Sequence, residues 1–308
     1  MTVIKTLNTK VKYVFNMKFG FLIDNKSFEF NGFKIAPVLE FDSVLRDFYK
    51  TARVSKGWFY GAKIELPRSA SEKNEFEADA VVINSSFFSM SPTHEILSTE
   101  DYSDDHLRFL ILGYGFLQGL YFTPESYSYL GRTAYEPTKL NGLLLNGDDY
   151  INGMESINRF YVNSNQEDQN QMFTCIHWYL IGQSYQFDWE RFDAQYKVLD
   201  GIYKLSGTKA NSHAARPIAL AERYNLELPL WAKLITKKES KLSKQRNDLF
   251  HEAKYGGHPI GYSYPEENYN LEFTSFNTKL IAAALGINTP YLQAEPKNRL
   301  LGMWNISM

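Results

Sequence analysis

The first third of the chain shows mostly alternating apolar and polar positions, which is typical of β-strands. Residues 28–35 alternate around Asn31-Gly32, and an Asn-Gly pair accepts the positive φ angles of a tight hairpin turn. We therefore predict a hairpin here and mainly strands from residue 12 to about residue 92. The further strand candidates are 11–23, 58–66 and 78–88.

A long apolar segment follows this strand-like region. Ser103 precedes two aspartates and an apolar run through Leu120, which together predict a helix over about 104–120 with a capping serine and acidic residues at its positive end. Gly115 and Gly119 are four residues apart and are expected to share a face that admits close packing. The apolar run is too short to cross a bilayer, so we interpret it as a buried helix.

Beyond residue 171 the apolar period becomes helical. A further helix over 214–224 tolerates Pro217 only in its first turn, and the helix over 237–253 ends before Gly256-Gly257. A last helix over 271–285 stops at Gly286. Two apolar stripes precede them, formed by Met172, Phe173, Ile176, Tyr179 and Leu180, and by Trp189, Phe192, Tyr196, Leu199, Ile202 and Tyr203. Short connections between such helices favour an antiparallel bundle.

The polar segment 161–171 has almost nothing to bury, which predicts a linker or the exposed start of the next helix. We place a domain boundary between residues 160 and 161. The predicted fold class is α+β, with a β-rich N-terminal domain (1–160) that contains the long helix near 104–120, followed by a C-terminal antiparallel α-helical bundle (161–308).

Composition agrees with an intracellular globular protein. The 308 residues are 44% hydrophobic and 16% aromatic, so the chain can bury large cores. The single cysteine, Cys175, excludes an internal disulfide and fits a reducing cytosol. Lysines interrupt the N-terminal residues 1–14, so no signal peptide is expected. The expected location is the cytoplasm, with no membrane partner.

The chemistry-bearing residues lie near the C-terminal end of the chain. The hexapeptide 246–251 contains Arg246, Asn247 and His251 in the pattern R-N-x-x-x-H. Histidine exchanges protons near neutrality, and the arginine fork donates paired hydrogen bonds to a phosphate. Although the chain has a formal charge of −2, residues 233–254 include seven basic and three acidic side chains, which favours a local phosphate site.

This pattern lies on the penultimate helix of a predicted bundle and is followed by a Gly-rich loop and a last helix. In this setting it resembles the signature of the HEPN superfamily (higher eukaryote and prokaryote nucleotide-binding domains), in particular the Apea-like C-terminal ribonuclease domains. The resemblance covers about residues 172–285. It implies a metal-independent endoribonuclease that cleaves RNA through 2′-hydroxyl attack and leaves 2′,3′-cyclic phosphate ends, acting as a toxin or antiviral-defence effector.

The resemblance also implies roles for single residues. His251 would be the acid or base, Arg246 would hold the scissile phosphate, and Asn247 would orient His251 or the ribose. Expected substrate-binding residues are Lys244, Lys254, Tyr255 and His258, and no metal or other cofactor is expected. Three tyrosines of the loop after the motif are candidates to stack on unpaired bases, namely Tyr255, Tyr262 and Tyr264. A homodimer would form a composite active site between two motif helices, and the N-terminal domain would act as a sensor or regulator that responds to a protein or an activating ligand.

Two questions stay open at the level of sequence. The chain is alternatively a non-catalytic HEPN-like module that binds a nucleotide or a partner. In addition, Arg246 and His251 are five residues apart, roughly 140° around an ideal helix. They can meet at one phosphate only if the arginine wraps back or if the helix end is not ideal.

Overall fold

The computed structural model describes residues 13–51, 53–60, 63–67, 80–84, 87–88, 90–124, 129–136, 143, 145, 149–261 and 268–294. Within these residues the fold is mixed, with eight α-helices and several small antiparallel sheets. The helices are α1 Phe41–Thr51, α2 Asp104–Gln118, α3 Asp149–Asn163, α4 Gln166–Gly182, α5 Asp188–Ser206, α6 Arg216–Tyr224, α7 Lys241–Glu252 and α8 Asn270–Ala284.

Most of the strands precede α3. They are β1 Phe15–Gly20, β2 Phe28–Phe30, β3 Phe33–Pro37, β4 Arg53–Ser55, β5 Trp58–Tyr60, β6 Lys63–Pro67, β7 Ala80–Asn84, β8 Phe87–Phe88, β9 His94–Ser98, β10 Thr123–Pro124, β11 Tyr129–Leu130 and β12 Arg132–Ala134. Two short hairpins flank α7, formed by β13 Leu234–Thr236 with β14 Glu239–Ser240 and by β15 Lys254–Tyr255 with β16 His258–Pro259.

The largest sheet has the strand order β10-β1-β9-β3-β2. Its β2–β3 pair is the predicted hairpin, with Phe30 opposite Phe33 and with positive φ angles of 43° at Asn31 and 81° at Gly32. This prediction is confirmed. The strand-like region nevertheless contains α1, which the pattern of apolar and polar positions did not predict. Phe48 of this helix packs against Phe21 and Phe59.

Helix α2 connects the large sheet to the later helices. The predicted cap is confirmed, since the Ser103 side chain accepts a hydrogen bond from the backbone N–H of His106. Tyr114 meets Phe19 of the sheet edge to face, while Phe116 meets Tyr179 of α4. Because α2 is covered on several sides, its residues are apolar around almost the whole circumference.

The glycines of α2 do not act as predicted. Gly119 is the left-handed C-cap, with φ 70°, and therefore does not lie on the helix face. A Cβ at Gly115 would lie 2.4 Å from the carbonyl oxygen of Leu120, where the chain leaves the helix. The close helix contact is made by Gly113, whose Cβ would lie 2.7 Å from Ile157 of α3.

The predicted helices after residue 171 are confirmed, with shifts at their ends. The polar segment 161–171 is the last turn of α3, a short connection and the first turn of α4, so the exposed helix start is right and the linker is wrong. The position between residues 160 and 161 lies inside α3, and one hydrophobic core includes residues from both sides of it. The helix predicted over 237–253 begins four residues late, at Lys241, because β13 and β14 occupy its expected start.

Helix α5 lies at the centre of the second half and packs against α4, α6, α7 and α8. Arg132 ties this half to the small sheet β12-β5-β4, because its guanidinium donates hydrogen bonds to the carbonyls of Ser184 and Tyr185 and lies over the Trp58 ring. Among the described residues, no helix is long and apolar enough to cross a membrane.

The close approach of α4 and α5 predicts a steric effect. A Cβ at Gly182 would lie 2.4 Å from the Cβ of Ala194, which has no rotation that would move it away. We expect Gly182→Ala to lower the free energy of unfolding by about 1–3 kcal/mol, as overpacking does. The double variant Gly182→Ala/Ala194→Gly should regain part of this in urea unfolding. Equal stability of the single variant and the unchanged chain would contradict this packing.

His94 predicts a pH dependence of stability. Its side chain is fully buried in β9, and burial, only partly offset by Asp24, lowers its pKa to about 4. Between about pH 6.5 and pH 4 the unfolded chain binds a proton that the folded chain does not, so stability falls as the pH falls through this window. We expect His94→Gln to reduce the loss between pH 7 and pH 5 by about 2 kcal/mol. If the free energy of unfolding changes equally with pH in both chains, His94 is not the group responsible.

Candidate functional site

Helix α7 carries the motif and is well defined at both ends. Ser240 and Ser243 form reciprocal hydrogen bonds at the N-terminus, with the Ser240 hydroxyl accepting from the Ser243 backbone N–H. At the C-terminus Ala253 takes the left-handed conformation and its N–H donates to the carbonyl of Asp248. The helix extends through Glu252, so Arg246 and His251 both lie within it, and the departure from α-helical geometry comes at Ala253, two residues after His251.

The three motif side chains converge. One terminal nitrogen of Arg246, Nη1, lies 3.1 Å from Asn247 Oδ1 and 3.3 Å from His251 Nε2. The long arginine side chain folds back along the helix surface to reach the imidazole. Of the two alternatives left open by the five-residue spacing, this is the first.

Two aromatic rings support the guanidinium of Arg246. Its central carbon lies 5.1 Å from the Phe250 ring centroid and 5.9 Å from that of Tyr196, which belongs to α5. Tyr196 is buried, and burial raises the pKa of its phenol. Cation–π attraction and packing therefore hold the positive charge beside two neutral rings.

Exposure differs along the motif. Asn247 and His251 are exposed and Arg246 is half-buried, so the imidazole and the amide face solvent. Phe250 also exposes 48% of its surface, which is high for a phenylalanine. The motif consequently forms an open surface on a single chain and not an enclosed cleft.

Three of the predicted substrate-binding residues, Lys254, Tyr255 and His258, lie in the β15–β16 hairpin, and Lys244 lies on α7. Lys244 lines a different cleft of about 310 Å³ on another side of α7, together with Lys241 and Asp248. Lys254 is half-exposed and forms an ion pair of 2.7 Å with Glu252, and solvent screens most of the attraction between these two surface charges. His258 is half-exposed and lies opposite Tyr255 in the β15–β16 hairpin.

Tyr255 is not placed where a base could stack on it. Its side chain is only 4% exposed, its ring meets Phe192 of α5 edge to face, and its hydroxyl donates to Asn270 Oδ1. Tyr255 therefore anchors the hairpin that follows α7 in the core, which corrects its predicted role in stacking. Tyr262 and Tyr264, which were also candidates for stacking, lie outside the described residues.

The other histidines have structural environments. His106 is buried in the first turn of α2, stacks on Tyr161 and contacts Asn158 Oδ1. His177 contacts the Tyr121 hydroxyl, and its burial lowers its pKa, in agreement with a packed histidine. Within the part of the chain that the structure describes, no three His, Cys, Asp or Glu side chains are grouped as a metal site requires.

Sequence reasoning missed two neighbours of the motif. Tyr196 was assigned only to an apolar stripe, yet it contacts Arg246 on one side and His213 Nδ1 on the other, with its hydroxyl 3.4 Å from that nitrogen. His213 is exposed, and its pKa is lowered by partial burial and by Arg216. Only the packing of α5 against α7 and α6 brings these residues together, so no local sequence signal identifies them.

Comparison of the chain with family models, with curated proteins and with solved structures gave no match.

The contact between Arg246 and His251 predicts a tautomer. An arginine nitrogen only donates hydrogen bonds, so Nε2 of the neutral imidazole must accept and the proton must lie on Nδ1. We expect two-bond proton–nitrogen correlation spectra of the neutral ring to show a protonated Nδ1, and the Arg246→Ala variant to lose this preference. A proton on Nε2 in the unchanged chain would show that the contact is absent in solution.

Proposed function

We propose that the chain is a metal-independent endoribonuclease that uses Arg246, Asn247 and His251 to cleave RNA through attack of a 2′-hydroxyl on the adjacent phosphate. The main support is the distance of 3.3 Å between Arg246 Nη1 and His251 Nε2, with Asn247 Oδ1 at 3.1 Å from the same arginine nitrogen. A group that can donate hydrogen bonds to a phosphate, a group that can transfer a proton and an amide thus lie together at the surface.

The arrangement suits the reaction at each group. A phosphate oxygen entering beside His251 would accept hydrogen bonds from the guanidinium, whose fixed charge stabilises the negative charge that develops on the phosphorane. The imidazole, released from the arginine, would take the proton of the 2′-hydroxyl or give one to the leaving 5′-oxygen. Asn247 would hold the ribose or the ring.

The reaction needs both an acid and a base, and one motif provides one imidazole. We therefore propose a homodimer in which two motif helices face each other and supply the second histidine. The open surface of the motif and the exposed ring of Phe250 favour such a partner. In this proposal the β-rich region 1–160 is a sensor or regulator, and the helical bundle from residue 161 is the HEPN-like nuclease. The protein acts in the cytoplasm as a toxin or antiviral-defence effector. Another protein or a small ligand controls its activity.

The proposal predicts cleavage of single-stranded RNA in excess EDTA, with 2′,3′-cyclic phosphate ends. His251→Ala should lower the rate by about 10²–10⁴, the usual contribution of general acid–base catalysis. Arg246→Ala should act in the same direction. The control is Arg223→Ala, which removes an exposed arginine of α6 outside the motif and should leave the rate unchanged.

Full cleavage by His251→Ala would remove the proposed mechanism. RNA that shifts in a gel but remains intact, in the presence of the dimeric protein, fits two alternatives equally: a non-catalytic binding module, and a nuclease that is silent until an activating protein or ligand binds.

A further inference from the structure

A surface groove of about 340 Å³ runs from the motif across two neighbouring helices. We call it the α4–α5 groove. Arg246 and Phe250 of α7 form one end of it, so it is continuous with the candidate site. Its other parts include Trp178 of α4 and Lys197 and Lys204 of α5.

Trp178 gives the groove a flat aromatic surface. Its indole is half-buried, and Lys197 Nζ lies 4.0 Å from the ring centroid. A lysine side chain is flexible, so a nucleobase that stacks on the indole can displace the ammonium group toward the neighbouring phosphate. Stacking on an aromatic side chain is the common way in which proteins hold unpaired bases.

The charges of the groove favour an anionic chain. Three cations line it, namely Lys197, Lys204 and Arg246, against one carboxylate, Asp200. Arg216 already forms an ion pair of 2.6 Å with Asp200, which lowers the repulsion that this carboxylate would exert on a phosphate. The ion pairs of Lys197 with Asp193 and of Lys204 with Glu167 are at the surface, where they are weak and exchange readily.

We propose that the α4–α5 groove binds the nucleotides of single-stranded RNA next to the scissile phosphate, with one base stacked on Trp178 and the flanking phosphates at Lys197 and Lys204. This inference rests on the proposed function, because it takes the Arg246–His251 contact as the position of the scissile phosphate. Stacking accepts any base, so the groove gives affinity and sets the direction of the strand, with little sequence preference.

Binding of a fluorescein-labelled 2′-O-methyl uridine dodecamer, followed by anisotropy, tests the groove. This probe has no free 2′-hydroxyl and therefore cannot be cleaved. Trp178→Ala should weaken binding roughly tenfold, and Trp178→Phe, which keeps an aromatic face, should regain most of the affinity. The matched control is Trp189→Ala, another half-buried tryptophan, which stacks on Phe187 outside the groove.

The lysines are tested by salt dependence. Lys204→Ala should reduce the slope of the logarithm of Kd against the logarithm of the salt concentration by about 0.7, because one phosphate contact is lost. Lys209→Ala, which removes an exposed lysine outside the groove, should leave the slope unchanged. The Lys204→Ala variant changes only a surface side chain, so it still tests the groove if Trp178→Ala does not fold.

The outcomes separate the groove from the proposed reaction. The proposal that the groove binds RNA is wrong if the Trp178→Ala and Trp189→Ala variants bind the dodecamer equally well, or if the unchanged protein does not bind it. This conclusion does not depend on the result of the cleavage assay. If His251→Ala retains full cleavage while dodecamer binding still depends on Trp178 and Lys204, the groove holds and the proposed mechanism fails.

Discussion

The position of the Arg246 guanidinium is the constraint on which the candidate site depends. Five residues along a helix place two side chains about 140° apart, so an arginine and a histidine at this spacing do not meet by helix geometry alone. In this chain α5 lies beside α7, and its buried Tyr196 provides a surface against which the guanidinium rests. Phe250, one turn after Arg246 on the same helix, covers it from another side.

The packing of the helices thus determines the chemistry that the surface can perform. Gly182 and Gly201 allow α4 and α5 to approach closely, since a Cβ at either position would overlap with the facing helix. Helix α5 is held in turn by α8, where the Asn277 amide donates to the carbonyl of Gln195. This rigid support places Tyr196 under the arginine and also forms the floor of the α4–α5 groove. The motif helix itself is short, and its end is secured by the buried ring of Tyr255.

The large regular features could be predicted from the sequence. Asn31-Gly32 gave the hairpin because few pairs accept two positive φ angles, and Ser103 gave the start of α2 because its hydroxyl caps the helix. Helices α4, α5 and α8 follow from long apolar stripes. Helix α1 was missed, although Phe41, Val44, Leu45 and Phe48 are spaced as on one helix face, because strand-like segments surround it.

The site was less accessible to such reasoning. The motif residues are named by their types and spacing, but a side-chain conformation decides whether Arg246 reaches His251, and the sequence does not contain that information directly. Tyr255 illustrates the opposite case, because a tyrosine after a basic helix fits a stacking role and a core role equally well. Contacts with Phe192 and Asn270, which lie far away in the sequence, decide for the core. Tyr196 and the α4–α5 groove likewise exist only through tertiary packing.

In the proposed reaction Arg246 and His251 act as one unit on a phosphate. A double-mutant cycle on kcat/KM for RNA cleavage, with Arg246→Ala, His251→Ala and the combined variant, tests it most directly. We expect strong non-additivity, with the combined variant about as slow as the His251→Ala variant alone, because residues that act as a unit lose most of their effect when either is removed. Additive losses, in which each change lowers the rate by the same factor with or without the other, would contradict it.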